Sequence, residues 1–188
     1  STSNDAIDFL NQKKIKSLII DHHEINKPYP KANEIINPKK NNGYVEYDYF
    51  CATSLSYFFL EMLTKKIKCK INLKKYLIYV LLATVADVMP LRKLNRLISI
   101  KALKEFEIKD NKVFNELYKQ SNKNNNINID DLGYLIGPIL NAGGRLGKSN
   151  YATELLSSSN YEIIEKISSK LINLNEKRKK IEFKILEN

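Results

Sequence analysis

The sequence predicts an α/β fold, parallel strands flanked by helices and predominantly helical in content, that closes on one long helix. Three observations carry this. Residues 3–14 read as a helix with apolar Ile7 and Leu10, and the following strand, residues 17–20, runs through Leu18, Ile19 and Ile20 into Asp21, His22 and His23. That is half of a βαβ unit and calls for a buried parallel strand. Residues 73–86 are apolar on nearly every side, which marks a central buried helix. From Asn160 onward Ile164, Ile167, Leu171, Leu174, Ile181 and Ile185 recur at three-four spacing, the seam of a single long helix.

In chain order, residues 1–4 offer helix caps, but no strand precedes them, so partners for residues 17–20 must come from elsewhere. Asp21, His22 and His23 include both histidines of the chain and fall at the carboxyl end of the strand, where open α/β sheets gather their ligands. Imidazole beside carboxylate suits Mn²⁺, Zn²⁺ or Fe²⁺ better than Ca²⁺. Taken alone, the triplet also fits an ordinary loop with a capping acid and two solvated histidines.

Pro28, Pro30, Asn37-Pro38 and Asn41-Asn-Gly43 then mark a long surface excursion, interrupted by a short strand at 34–36. Ala52, Leu55, Phe58, Phe59 and Met62 repeat at helical spacing, and their aromatics read as core rather than as a base-stacking platform. Asp87 ends the apolar helix of residues 73–86. A carboxylate in that place must be paired, hydrogen-bonded or bound to metal, unless it simply meets solvent or caps the next turn.

An amphipathic helix at 91–107 containing Arg96 and a shorter one at 113–120 follow. Residues 121–128, with five Asn, form a polar surface loop without chemistry. The next helix starts at Asp130 or Asp131 and breaks at Gly137-Pro138.

Ala142 to Ser149, AGGRLGKS, matches a nucleotide-binding P-loop if Ala replaces its first glycine. The context argues against it. Gly-Pro interrupts the residues that would form the preceding strand, and no later strand supplies an acidic Mg²⁺ ligand. The other reading is a Gly-rich turn whose backbone N–H groups and Arg145 hold a phosphodiester backbone.

Composition sets limits. The 188 residues suit one domain, or one and a fraction. No apolar run is long enough for a membrane span and no signal peptide opens the sequence, so no membrane partner is expected. Cys51 and Cys69 lack CxxC spacing and read as free thiols of a reducing cytoplasm. The net charge of +10 suits a polyanion such as nucleic acid, but four of the 31 basic residues are Arg, and a Lys/Asn/Ile bias of this kind pervades proteins of AT-rich genomes.

Taken together, Ile-Ile-Asp21-His22-His23, Ile-Ile-Asn37-Pro38, Ala83-Thr-Val-Ala-Asp87-Val-Met-Pro90-Leu with Asn95-Arg96, and Gly137-Pro-Ile-Leu-Asn141-Ala-Gly-Gly-Arg145-Leu resemble the DHH phosphoesterases, and within them the RecJ-type exonucleases. The resemblance implies a DHH-type domain and a two-metal phosphodiesterase, with Mn²⁺ or Mg²⁺, that releases 5′-mononucleotides from single-stranded DNA in the 5′ to 3′ direction during repair and recombination. By the same resemblance His22 and Asp87 are metal ligands, Asp21 orients the site, His23 faces the scissile phosphate, and Asn141, Gly143, Gly144 and Arg145 lie along the nucleic-acid path. Single-stranded DNA is the implied partner, with single-strand-binding protein or a helicase as further ones.

Departures from the family shape the expectation. The family's Asp-x-Asp motif and a further Asp belong upstream of residue 1, and its DHHA-type domain belongs beyond the long helix. Residues 1–158 are thus expected to be the C-terminal part of a DHH domain and 159–188 the start of an interdomain connecting helix, inactive alone. One His and one Asp, with Asp21 or His23 in reserve, cannot fill two coordination spheres. Thr53-Ser54 stand where glycines are common, and Ile139 where an Arg is common. The alternatives are another DHH phosphoesterase, acting on oligonucleotides, cyclic dinucleotides or pyrophosphate, and a catalytically dead DHH-type binding module.

Overall fold

The computed structural model describes residues 4–40 and 45–187. The caps expected at residues 1–3 and the Asn41-Asn-Gly43 turn lie outside them. The chain divides into two compact units, Ser1–Ile100 and Lys101–Asn188. Among the described residues the architecture is mostly helical, with one two-stranded parallel sheet in the first unit and a long helix at the end of the second.

In the first unit, α1 (Asn4–Gln12) buries Ile7 and leads to β1 (Leu18–Ile20). β1 pairs in parallel with β2 (Glu34–Ile36), Leu18 opposite Glu34 and Ile20 opposite Ile36. The segment between the strands is an irregular loop rather than a helix. Asn33 fastens its far end, its Oδ1 accepting from Ser17 N at 2.8 Å. The expectation of a buried strand is corrected: Leu18 is 43 % exposed, because β1 has a ladder neighbour on one edge among the described residues.

α2 (Ala52–Lys66) packs against α3 (Leu77–Ala86) and β1. α3 is the core element, with Leu77, Ile78, Val80, Leu81 and Leu82 all buried. At the seam with α2, Cys51 Sγ lies 3.3 Å from Ser54 Oγ and 3.7 Å from Thr84 Oγ1, which satisfies three small buried groups together. α4 (Lys93–Glu105) carries the division between the units.

In the second unit, Asn111 caps α5 (Lys112–Gln120), and Asn160 caps α8 (Tyr161–Leu186); each Oδ1 accepts two backbone N–H groups. α6 (Gly137–Arg145) and α7 (Asn150–Ser157) pack, like α5, against α8. Phe114, Leu117, Leu132, Ile136, Ile139, Leu155, Ile164 and Leu171 form the core. The break expected at Gly137-Pro138 is corrected. A wide helical turn over Asp131–Ile136 runs straight into α6, and the change of winding falls at the Gly137-Pro138 pair, where the proline has no N–H to give to the preceding turn. The Asn-rich loop also does more than expected: Asn128 Oδ1 accepts from Asp131 N, while Asn125 and Lys123 reach the buried Asp131 carboxylate.

Four helices end on a left-handed residue that is not glycine: Lys14, Lys68, Val88 and Asn122. In each case the N–H of the next residue returns to a carbonyl five positions back, as Met89 N does to Thr84 O at 2.9 Å. No described helix is long and apolar enough to cross a membrane.

Candidate functional site

Asp21 leaves the carboxyl end of β1 and turns back on the loop that follows. Its Oδ1 accepts from His22 N at 2.8 Å and His23 N at 3.3 Å, and lies 2.7 Å from the His23 ring Nδ1. Burial works against the charged carboxylate, yet hydrogen bonds that include those from the His23 ring and the two backbone N–H groups hold it well below the usual carboxylate range. Asp21 therefore shapes the loop as an anion. Across the loop, buried Asn37 at the end of β2 donates from Nδ2 to His23 O at 3.0 Å and accepts from Lys39 N at 2.9 Å.

His22 points inward and His23 outward, with side-chain exposures of 12 % and 76 %. The N–H of Ala52, at the start of α2, donates to His22 Nδ1 at 3.1 Å and fixes the ring, leaving Nε2 to face Asp87 Oδ2 at 3.6 Å. Burial pushes the His22 imidazolium to a lower pKa, against the opposing pull of the Asp87 carboxylate, so the ring is held neutral. Asp87 itself caps the C-terminal end of α3 and is half-exposed.

One ligand atom each from Asp21, His22 and His23 lies within 4.8 Å of the others. Donor atoms about 2.1 Å from a common ion stand roughly 3–4 Å apart, so the His22–Asp87 separation fits a shared divalent cation. The mixed imidazole and carboxylate set fits Mn²⁺ or Zn²⁺ better than Ca²⁺. With Nδ1 accepting from Ala52 N–H, the neutral ring carries its proton on Nε2, facing Asp87; a cation held by these two side chains would require that proton to move to Nδ1. These donors fill part of one coordination sphere.

The second group of expected residues belongs to the second unit. Asn141, Ala142, Gly143, Gly144 and Arg145 form the last turns of α6, not a Gly-rich loop. Their N–H groups are therefore engaged in the helix rather than free to cradle phosphates, and the strand-to-helix geometry of a P-loop is lacking. Asn141 and Arg145, four residues apart, are both exposed on one face, with Gly144 beside them. Gly143 turns inward: a Cβ there would lie 2.6 Å from Lys148 O and 3.1 Å from Leu171. The true left-handed glycine is Gly147, which ends the helix while Lys148 N returns to Gly143 O at 2.7 Å.

Sequence reasoning did not find the Ala52 N–H, because a backbone donor leaves no residue signature. Nor did it assign hydrogen bonds to Asn37 and Asn95, although both stood in the quoted motifs. Asn-Pro directly after a strand was the available signal for Asn37.

No family model matches the chain. Among curated proteins, the single-stranded-DNA-specific exonuclease RecJ of Haemophilus influenzae is 30 % identical over 191 residues, 96 % of this chain and 33 % of that protein. RecJ of Dickeya dadantii is 27 % identical over 96 % of the chain and 34 % of its own length. Among solved structures, RecJ in complex with Mn²⁺ from Thermus thermophilus superposes with a TM-score of 0.84 at 20 % identity, covering 99 % of this chain and 28 % of that one. A second RecJ structure, exonuclease bound to manganese, gives the same score and covers 47 % of its chain. Over nearly its whole length the chain is homologous to the RecJ single-stranded-DNA exonucleases, and it spans about a third of the length of the curated relatives it matches.

Proposed function

We propose that this chain furnishes part of a divalent-metal site of a single-stranded-DNA exonuclease acting 5′ to 3′. The observation that carries the reading is the approach of His22 to Asp87 from separate elements at 3.6 Å, beside a loop that Asp21 shapes. On this reading His22 and Asp87 hold Mn²⁺ or Mg²⁺. The metal supplies an acidified water and stabilises charge on the scissile phosphate. Asp21 keeps the loop and the His23 ring in place. His23, exposed on the open side of the loop, donates to a phosphate oxygen. Asn141, Gly144 and Arg145 present an exposed helical face to the DNA backbone, while Gly143 serves the close packing behind it. Residues 1–158 form part of the nuclease domain and residues 159–188 begin a connecting helix.

The test is release of 5′-labelled mononucleotides from single-stranded DNA with Mn²⁺, alongside cyclic dinucleotide and pyrophosphate substrates. Release from DNA that disappears in His22→Ala and Asp87→Ala supports the reading. Hydrolysis of the small substrates with DNA left intact overturns it. Where no substrate turns over, DNA affinity decides: Arg145→Ala should weaken binding and reduce its logarithmic salt slope by about 0.7, and an unchanged slope removes the α6 face from the reading.

A further inference from the structure

Asn95, in the first turn of α4, is 1 % exposed. Both of its N–H donors are used: Nδ2 lies 2.6 Å from Tyr49 O and 3.1 Å from Pro90 O. Those carbonyls belong to the two segments that reach the candidate metal centre. Just past Tyr49 comes Ala52, whose N–H holds the His22 ring; just before Pro90 comes Asp87, which faces that ring's other nitrogen. The same two segments are joined again by Arg92 Nη2 on Asp48 Oδ1 at 2.9 Å, and by the Arg92 guanidinium and Lys93 ammonium over the Tyr49 ring at 5.4 and 5.9 Å.

Two features separate Asn95 from an ordinary core residue. Its Oδ1 is buried without a hydrogen-bond partner, an arrangement that disfavours asparagine unless its two donors are needed. The segment it anchors is also wound against its own preference: Val88 and Lys93 are both left-handed, at φ 53° and 47°. By its bond to Pro90 O, Asn95 restrains this strained segment, which begins one residue after Asp87.

We infer that Asn95 is a positioning residue for the candidate metal centre: by joining Tyr49 O to Pro90 O it sets the separation between His22 and Asp87. The inference rests on reading those two side chains as ligands, and the test has one arm that does not. Asn95→Ala, the milder Asn95→Ser and the control Ser99→Ala are compared. Ser99 is buried on the same helix and donates to Asn95 O, touching neither segment. The first arm is amide hydrogen exchange at Ala52 and Met89, normalised to global stability; the second is Mn²⁺ affinity by calorimetry.

Asn95→Ala should speed exchange at both amides beyond the global change and lower Mn²⁺ affinity about tenfold or more. Asn95→Ser, which keeps one donor, should do the same to a smaller extent and serves if the alanine variant does not fold. Ser99→Ala should do neither. Unchanged exchange at Ala52 and Met89 overturns the inference, and so does loosened exchange with undiminished affinity. A wild-type chain that takes up no Mn²⁺ refutes the ligand reading alone, while the exchange arm still decides whether Asn95 fixes the two segments.

Discussion

His22 Nε2 and Asp87 Oδ2 stand 3.6 Å apart, one delivered by the end of a strand and the other by the end of an apolar helix. The His22 side chain is not held by its own element alone. His22 is oriented by a third element, the first N–H of α2, and Asp87 by the cap that turns the chain away after Ala86. Three elements of the first unit thus share the setting of one distance.

His22→Ala and Asp87→Asn should each lower Mn²⁺ affinity tenfold or more, with far-UV circular dichroism unchanged. Calorimetric titration checks this, and equal affinity in either variant takes that residue out of the donor set. Because burial depresses the His22 pKa from its ordinary 6.5, protons should compete with Mn²⁺ at His22 only at pH below that value. Affinity that already falls between pH 8 and 7 would contradict a neutral His22 there.

The second unit should be acid-sensitive through two buried carboxylates. Glu116 is opposed by burial but accepts from Tyr161 and Gln120 and has the Lys119 ammonium nearby; Asp131 is likewise opposed by burial but accepts from Tyr118, Lys123 and Asn125. Both titrate below their unfolded values of 4.5 and 3.8. Their stabilisation is therefore fully present above those values and is lost as pH falls through the folded ones. Tyr161→Phe should cost about 1–2 kcal/mol at pH 7 and progressively less as Glu116 protonates. Urea unfolding at pH 7, 4 and 3 measures it; a deficit that stays constant with pH would show that Tyr161 acts without Glu116.

Val88 is 87 % exposed and left-handed, so its side chain gains little from burial while its backbone is strained. Val88→Gly should stabilise the first unit by about 0.5–1 kcal/mol, the relief of strain exceeding the extra freedom of the unfolded glycine. Denaturant unfolding with an unchanged slope tests this, and a loss of stability would mean that the isopropyl group makes a contact of its own.

Gly143 and Gly144 are neighbours with opposite expected responses to alanine. At Gly143 the new Cβ would meet a backbone carbonyl at 2.6 Å, so α6 or the loop after it must shift, at about 2 kcal/mol or more. At Gly144 nothing lies within 4 Å, and the gain in helix propensity is about 1 kcal/mol. Thermal melts of the two variants should move apart; shifts in the same direction would refute the packing role of Gly143.

The helices were legible because their apolar residues repeat at helical spacing, and α3 stood out because it is apolar all round. β1 and β2 were legible as short Ile-rich runs, but the exposure of Leu18 was not, since a strand's sequence does not say how many neighbours it has. The Gly-rich stretch was misread for a physical reason. Glycine and proline argue against a helix in isolation, whereas here proline occupies the first turn of α6 and Gly143 is required by the approach of Lys148 and Leu171. At the site, residue types suggested Asp21, His22, His23 and Asp87. Of the groups that hold them, Ala52 N–H is a backbone donor and leaves no residue signature, while the Asn37 side-chain amide was marked only by its place after a strand and before a proline.

α8 has a mechanical consequence. Its 26 residues make a rod about 39 Å long, gripped by α5, α6 and α7, with Ile164, Ile167 and Leu171 buried on the early turns and Ile181, Phe183 and Ile185 exposed on the late ones. A rod held near one end is a lever. The 12 residues from Leu171 to Phe183 span about 18 Å, so a tilt of about ten degrees at the grip carries Phe183 through roughly 3 Å, enough to make or break a contact there.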